Sequence, residues 1–117
     1  MFSIRKRLKS FTYAFKGLIL FLKTEHNAWL HLAAAFLVIC LGFALKISNY
    51  DWCLLSGSIG MVFITEAFNT AIEKLTDVVS PEHSEKAGMV KDIAAGAVLI
   101  ASMVALVTGA LIFIPRI

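Results

Sequence analysis

Of the 117 residues, 59% are apolar and 16% are charged, where ordinary soluble proteins carry roughly half and a quarter. That composition marks an integral membrane protein. Eleven Lys and Arg against eight Asp and Glu leave a formal charge of +3, too small and too interrupted by apolar runs for a nucleic-acid binder.

Residues 1–25 are expected to form an amphipathic helix lying on the membrane surface. Ile4, Leu8, Phe11, Phe15, Leu18 and Leu22 alternate by four and three and so share one helical stripe. Arg5, Lys6, Arg7, Lys9, Lys16 and Lys23 occupy the rest of the circumference, facing water and anionic headgroups. The basic region is too long for a cleaved signal peptide, and no small-residue cleavage motif closes the apolar run.

Three membrane crossings follow, giving an all-α integral membrane fold of one domain. Residues 28–45 contain His31 as their only ionisable side chain and form the first crossing. Residues 52–79 form the second, uncharged until Glu66 and extending into the cytoplasm, with no proline before Pro81. Residues 91–114 form the third, in which Ala97, Ala101, Ala105 and Gly109 supply a small-residue edge for packing, expected between subunits. Cys40 and Cys53 have no metal-ligand spacing and are expected to be buried packing residues. Basic residues precede the first crossing and recur at Lys74, Lys86 and Lys91, whereas Lys46 and Arg116 stand alone elsewhere. This bias places the N-terminus and the 74–92 loop in the cytoplasm.

The second crossing carries an unusual pattern. Glu66, Asn69, Thr70, Glu73 and Asp77 follow a three-four rhythm and share one helix face. A charged side chain in the hydrocarbon costs at least about 2.5–3.5 kcal/mol, so these carboxylates need partners, protons or a cation. About 20 residues at 1.5 Å each cross the hydrocarbon, which sets Glu66 below the cytoplasmic surface, Glu73 at it and Asp77 in water. That gradation suits chemistry joining a lipid headgroup to a water-soluble polyanion, with Mg²⁺ on the outer carboxylates. Glu25 stands at the depth of Glu73 and would share such a metal if the helices meet. Lys91 and Asp92 are expected to open the third helix, where free N–H groups favour phosphate. His26, His31 and His83 lack metal-cluster spacing and are assigned no ligand role. No GxxxxGK or GxGxxG turn is present. Two rival readings of the stripe are polar side chains that bond helices together, and a small transporter subunit in which Glu66 carries a proton or cation.

The segment EAFNTAIEKLTD at residues 66–77, followed by KDIAAGAVLIA at residues 91–101, resembles the prokaryotic diacylglycerol kinase family, including its undecaprenol kinase branch. YAFKG at residues 13–17, Glu25 and the three crossings extend the resemblance over nearly the whole chain. It implies an ATP-dependent lipid kinase of the bacterial cytoplasmic membrane, acting as a homotrimer with sites shared between subunits. Glu66 matches the catalytic base, and Glu25 and Glu73 the carboxylates that hold Mg²⁺ on the nucleotide. Lys6, Tyr13, Lys16, Asn69, Asp77, Glu82, Lys91 and Asp92 match nucleotide-binding positions, and Trp29 and Ala95, with Glu66, lipid-facing ones. Phe15 and Trp29 stand where enterobacterial diacylglycerol kinases have Trp and Arg, and Ser84 takes a position where the family often has His. The wording NTAIE and KDIAAGAVL, with SPE in the loop, is more similar to the undecaprenol kinase branch, which implies a polyprenol acceptor over diacylglycerol.

Overall fold

The computed structural model describes residues 3–117, so Met1 and Phe2 of the expected surface helix lie outside the described residues. The chain forms α1 (Ile4–Thr24), α2 (His26–Ala44), α3 (Asn49–Val79) and α4 (Glu85–Phe113), closing with a 3-10 turn over Ile114–Arg116. α2, α3 and the unit of α4 with its 3-10 turn are each long and apolar enough to cross a membrane. The expected all-α fold with one surface helix and three crossings is the one observed.

Each boundary has a local cause. Ser3, Ser48 and Ser84 accept backbone N–H groups of Lys6, Asp51 and Ala87, which caps α1, α3 and α4. α3 therefore begins three residues before the expected start, and α4 six. Lys91 and Asp92 consequently do not open a helix. They lie in its second turn, where backbone N–H groups are already bonded, so the expected helix-terminal phosphate site at these residues is not there.

Between α2 and α3 the chain reverses through Lys46, which has a positive φ of 52°. Ile47 N–H bonds the Gly42 carbonyl and Lys46 N–H the Phe43 carbonyl, the paired closure that satisfies the last free carbonyls of a helix. Ile47 packs with Leu55, Ile112 and Phe113 into the buried core at this end of the bundle. Asp51 pairs with Arg116 at 2.7 Å beside it.

Gly42 lets the Trp52 ring lie on the α2 backbone: a Cβ added there would stand 2.7 Å from Trp52 Cη2 and 3.2 Å from Ile47 Cδ1. Gly42→Ala is therefore expected to destabilise the fold by about 1–3 kcal/mol through overpacking. Thermal unfolding in detergent should show a lowered midpoint, and an unchanged one would mean that the indole shifts without cost.

α3 and α4 form the principal helix pair. Leu55, Ser58, Val62, Glu66 and Thr70 are the buried positions of α3, and Ala87, Ala94 and Ala101 recur every seven residues on α4. This is the spacing of a seam between two helices. Ala101 thus packs inside one chain, and Ala105 and Gly109 border a small cavity shared with α2 and α3, while Ala97 is exposed. Part of the small-residue edge serves the chain's own bundle. Cys40 and Cys53, expected to be buried, are both exposed free thiols. On a membrane protein the outer surface meets acyl chains, so a small apolar side chain is as acceptable there as in a core.

Candidate active site

α1 and α2 are separated by one residue, Glu25, whose extended backbone (φ −117°, ψ 110°) ends the first helix and begins the second. No proline or glycine makes this corner. Two tertiary bonds accompany it: the Trp29 indole N–H donates to the Leu22 carbonyl at 2.6 Å, and Thr70 Oγ1 donates to Glu25 Oε2 at 3.1 Å. The Glu25 carboxylate does not cap α2. It reaches across to α3 instead, one helical turn from Glu73.

The acidic face of α3 points inward. The Glu66 side chain is 4% exposed and its Oε1 lies 3.3 Å from His31 Nε2 on α2. Asn69 Nδ2 donates to Glu73 Oε1 at 3.1 Å, and Glu73 is half-buried. Asp77, with 66% of its side chain exposed, pairs with Lys91 Nζ at 2.7 Å. The expected gradation from an enclosed Glu66 to a solvent-facing Asp77 is thus present as protein burial. α3 at 31 residues is about 46 Å long, well beyond the roughly 30 Å of hydrocarbon, which leaves its Asp77 end free to stand in water.

Two ion pairs clip the α3–α4 hairpin at opposite ends, Asp51 with Arg116 and Asp77 with Lys91. They are separated by 26 residues on α3 and 25 on the return path, so the two helices run in register from one surface to the other. Lys91 has three ammonium donors; one reaches Asp77, and the others remain for an anion.

The structure therefore brings Glu25, Glu66, Asn69, Glu73, Asp77 and Lys91 to the interior and one end of a single helix bundle. It does not bring every expected residue there. Lys6, Tyr13 and Lys16 are exposed along α1, with Lys16 Nζ 5.9 Å from the centroid of the Tyr13 ring. Glu82 and Asp92 have exposed side chains. Ser84 caps α4.

Trp29 and Ala95 are also exposed, and neither lines the apolar groove of about 560 Å³ that runs between the end of α1 and α3. Leu18, Phe21 and Leu22 form one side of this groove, and Phe63, Ala67 and Phe68 of α3 form another. Two residues with visible contacts were given no role from sequence: His31, bonded to Glu66, and Thr70, bonded to Glu25. A signal for the first existed, since a lone ionisable residue in a crossing calls for a partner at its own depth.

Among the described residues no three His, Cys, Asp or Glu side chains converge as a preformed metal site. Mg²⁺ does not require that, because it takes one or two carboxylates and fills its octahedron with water and phosphate oxygens. The donors present suit it. Glu25 and Glu73 offer hard oxygens near the water-facing end, and Oδ1 of Asn69, whose Nδ2 donates to Glu73, is buried with no hydrogen-bond partner.

Comparison with known proteins agrees with this architecture. The family model of prokaryotic diacylglycerol kinase matches residues 12–113, from the middle of α1 to the end of α4. The undecaprenol kinase of Bacillus subtilis (strain 168) is 36% identical over 113 residues, covering 97% of this chain and 92% of the relative. The diacylglycerol kinase of Escherichia coli (strain K12) is 32% identical over 108 residues, covering 86% and 83%. That of Synechocystis is 33% identical over 109 residues, covering 92% of this chain and 62% of the relative. A match spanning the surface helix, all three crossings and the inward carboxylate face identifies this chain as a member of the prokaryotic diacylglycerol kinase family, a membrane lipid kinase that uses ATP.

Proposed function

We propose that this kinase phosphorylates undecaprenol in preference to diacylglycerol, in the cytoplasmic membrane of a bacterium, with its N-terminus and the 80–90 loop on the cytoplasmic side. The observation that carries the acceptor class is the apolar groove walled in part by Phe63, Ala67 and Phe68, from the α3 turns that also carry Glu66. Its walls are entirely apolar side chains. A polyprenyl chain needs nothing more, whereas the two ester carbonyls of diacylglycerol would be desolvated there without a donor. The orientation rests on the cationic surface helix and on Lys74, Lys86 and Lys91 at the Asp77 end of the bundle, against Lys46 and Arg116 at the other.

In the proposed reaction Glu66 accepts the proton of the lipid hydroxyl as its oxygen bonds to the γ-phosphorus of ATP. The bond from that phosphorus to the bridging oxygen breaks, and ADP departs. Lys91 supplies positive charge near the transferring group. Glu25 and Glu73 would hold Mg²⁺ with Asn69 beside them, and the ion, when bound, neutralises phosphate charge. Asp77 keeps Lys91 in place at the water-facing end. A homotrimer with shared sites accounts for two further features: Lys6, Tyr13 and Lys16 are exposed along α1, and the buried Asn69 Oδ1 lacks a partner.

The test is direct. Purified protein in mixed micelles with γ-labelled ATP should label undecaprenol faster than diacylglycerol at equal mole fraction. The reverse order would assign diacylglycerol as the acceptor, and label in neither lipid would reject both.

A further inference from the structure

We infer that His31 is the residue that positions Glu66 for proton abstraction, by donating its Nε2–H to Glu66 Oε1 and leaving Oε2 for the lipid hydroxyl. This rests on the reading of Glu66 as the base. Each other carboxylate of the site has a different partner: Glu25 has Thr70, Glu73 has Asn69 and Asp77 has Lys91. For Glu66 the contact is His31 Nε2, at 3.3 Å.

An ionised carboxylate only accepts hydrogen bonds, so the contact fixes the proton of His31 on Nε2. The separation is at the long end for a hydrogen bond, as bonds in the reacting constellation often are before substrate is present. The imidazole has a second neighbour on α3: Phe63, a wall of the lipid groove, meets its ring edge to face at 6.3 Å and 76°. Phe63 thus links the ring that orients the base to the groove assigned to the acceptor chain.

The geometry also explains why α2 matters to the chemistry. Glu25, the residue before α2, and His31, in its second turn, lie six residues apart, and Thr70 and Glu66 lie four apart on α3. Docking α2 on α3 sets the metal carboxylate and the base at once. In the transfer step His31 keeps its own proton: the hydroxyl proton goes to Glu66 Oε2 and leaves to solvent after the phospholipid departs.

Three measurements on the full-length protein test this. His31→Leu is expected to lower kcat for lipid phosphorylation by about 10–100-fold, the scale of losing the orientation of a reacting group, with KM for Mg·ATP changed by less than about twofold. His31→Gln, whose side-chain amide can donate from nearly the position of Nε2, should recover kcat to within about threefold of the parent. Nitrogen NMR of selectively labelled His31 should find the proton on Nε2.

Parent-like kcat in His31→Leu, equal slowing in the Leu and Gln variants, or a neutral Nδ1–H tautomer would each overturn the assignment. If His31→Leu fails to fold, the Gln variant and the tautomer decide. If the parent itself phosphorylates no lipid, the reading of Glu66 as a base fails, while the tautomer still reports whether His31 holds that carboxylate.

Discussion

Glu66→Gln should lower phosphoryl transfer by about 10²–10⁴-fold, the usual contribution of a general base, while Mg·ATP affinity stays near the parent's. The substitution keeps shape and volume, and the new amide oxygen can still accept from His31 Nε2, so the buried pocket need not rearrange. What is lost is the capacity to take a proton. Glu66 is two helical turns from Glu73 on the inward side of α3, so the substitution should leave the polyphosphate end untouched. Initial rates with labelled ATP, set against an equilibrium nucleotide titration, separate the two effects. Equal loss in both would mean that Glu66 belongs to nucleotide binding and that the division of roles is wrong.

Glu73→Ala should act in the opposite way, weakening Mg·ATP binding by about 10–100-fold, the range seen when a group tied to a metal shell is removed. The side chain is half-buried near the water-facing end of α3 and accepts a hydrogen bond from Asn69 Nδ2 one turn away. Loss of the carboxylate would leave Glu25 as the remaining acidic donor proposed for the ion. Raising Mg²⁺ should restore part of the lost rate, because the other ligands of this ion are water and phosphate. A titration identical to the parent's would take Glu73 out of the metal shell and leave Glu25 alone in that role. The two substitutions together separate a base that works on the alcohol from a carboxylate that works on the nucleotide.

The helices themselves were legible in the sequence because each answers to a local rule. Long apolar runs exclude backbone that is not internally hydrogen-bonded in lipid, so their helical state follows from composition. The three-four rhythm of Glu66, Asn69, Thr70, Glu73 and Asp77 needs only helical geometry to define a face. Helix ends were less legible. Hydropathy placed the start of the third crossing at residue 91, whereas Ser84 caps a polar first turn and a half before the apolar run begins. Lipid contact and helix formation are different quantities, and only the first is proportional to hydropathy. Cys40 and Cys53 expose the same distinction, since apolar character in a membrane protein does not tell a core position from a lipid-facing one.

From sequence alone came the surface helix, the three crossings and an acid face that had to find partners, since periodicity and desolvation cost act within one segment. Which partners answer was decided by how α2 and α4 lie along α3. A shift of one turn would remove His31 from Glu66 and Thr70 from Glu25, and nothing within any single helix sets that register. It is set by contacts remote from the chemistry: Gly42 beneath Trp52, the reversal at Lys46 and the Asp51–Arg116 pair at the other end of the bundle. Helices transmit position along their length because their backbone bonds resist stretching. Packing at the far surface therefore fixes the placement of the carboxylates.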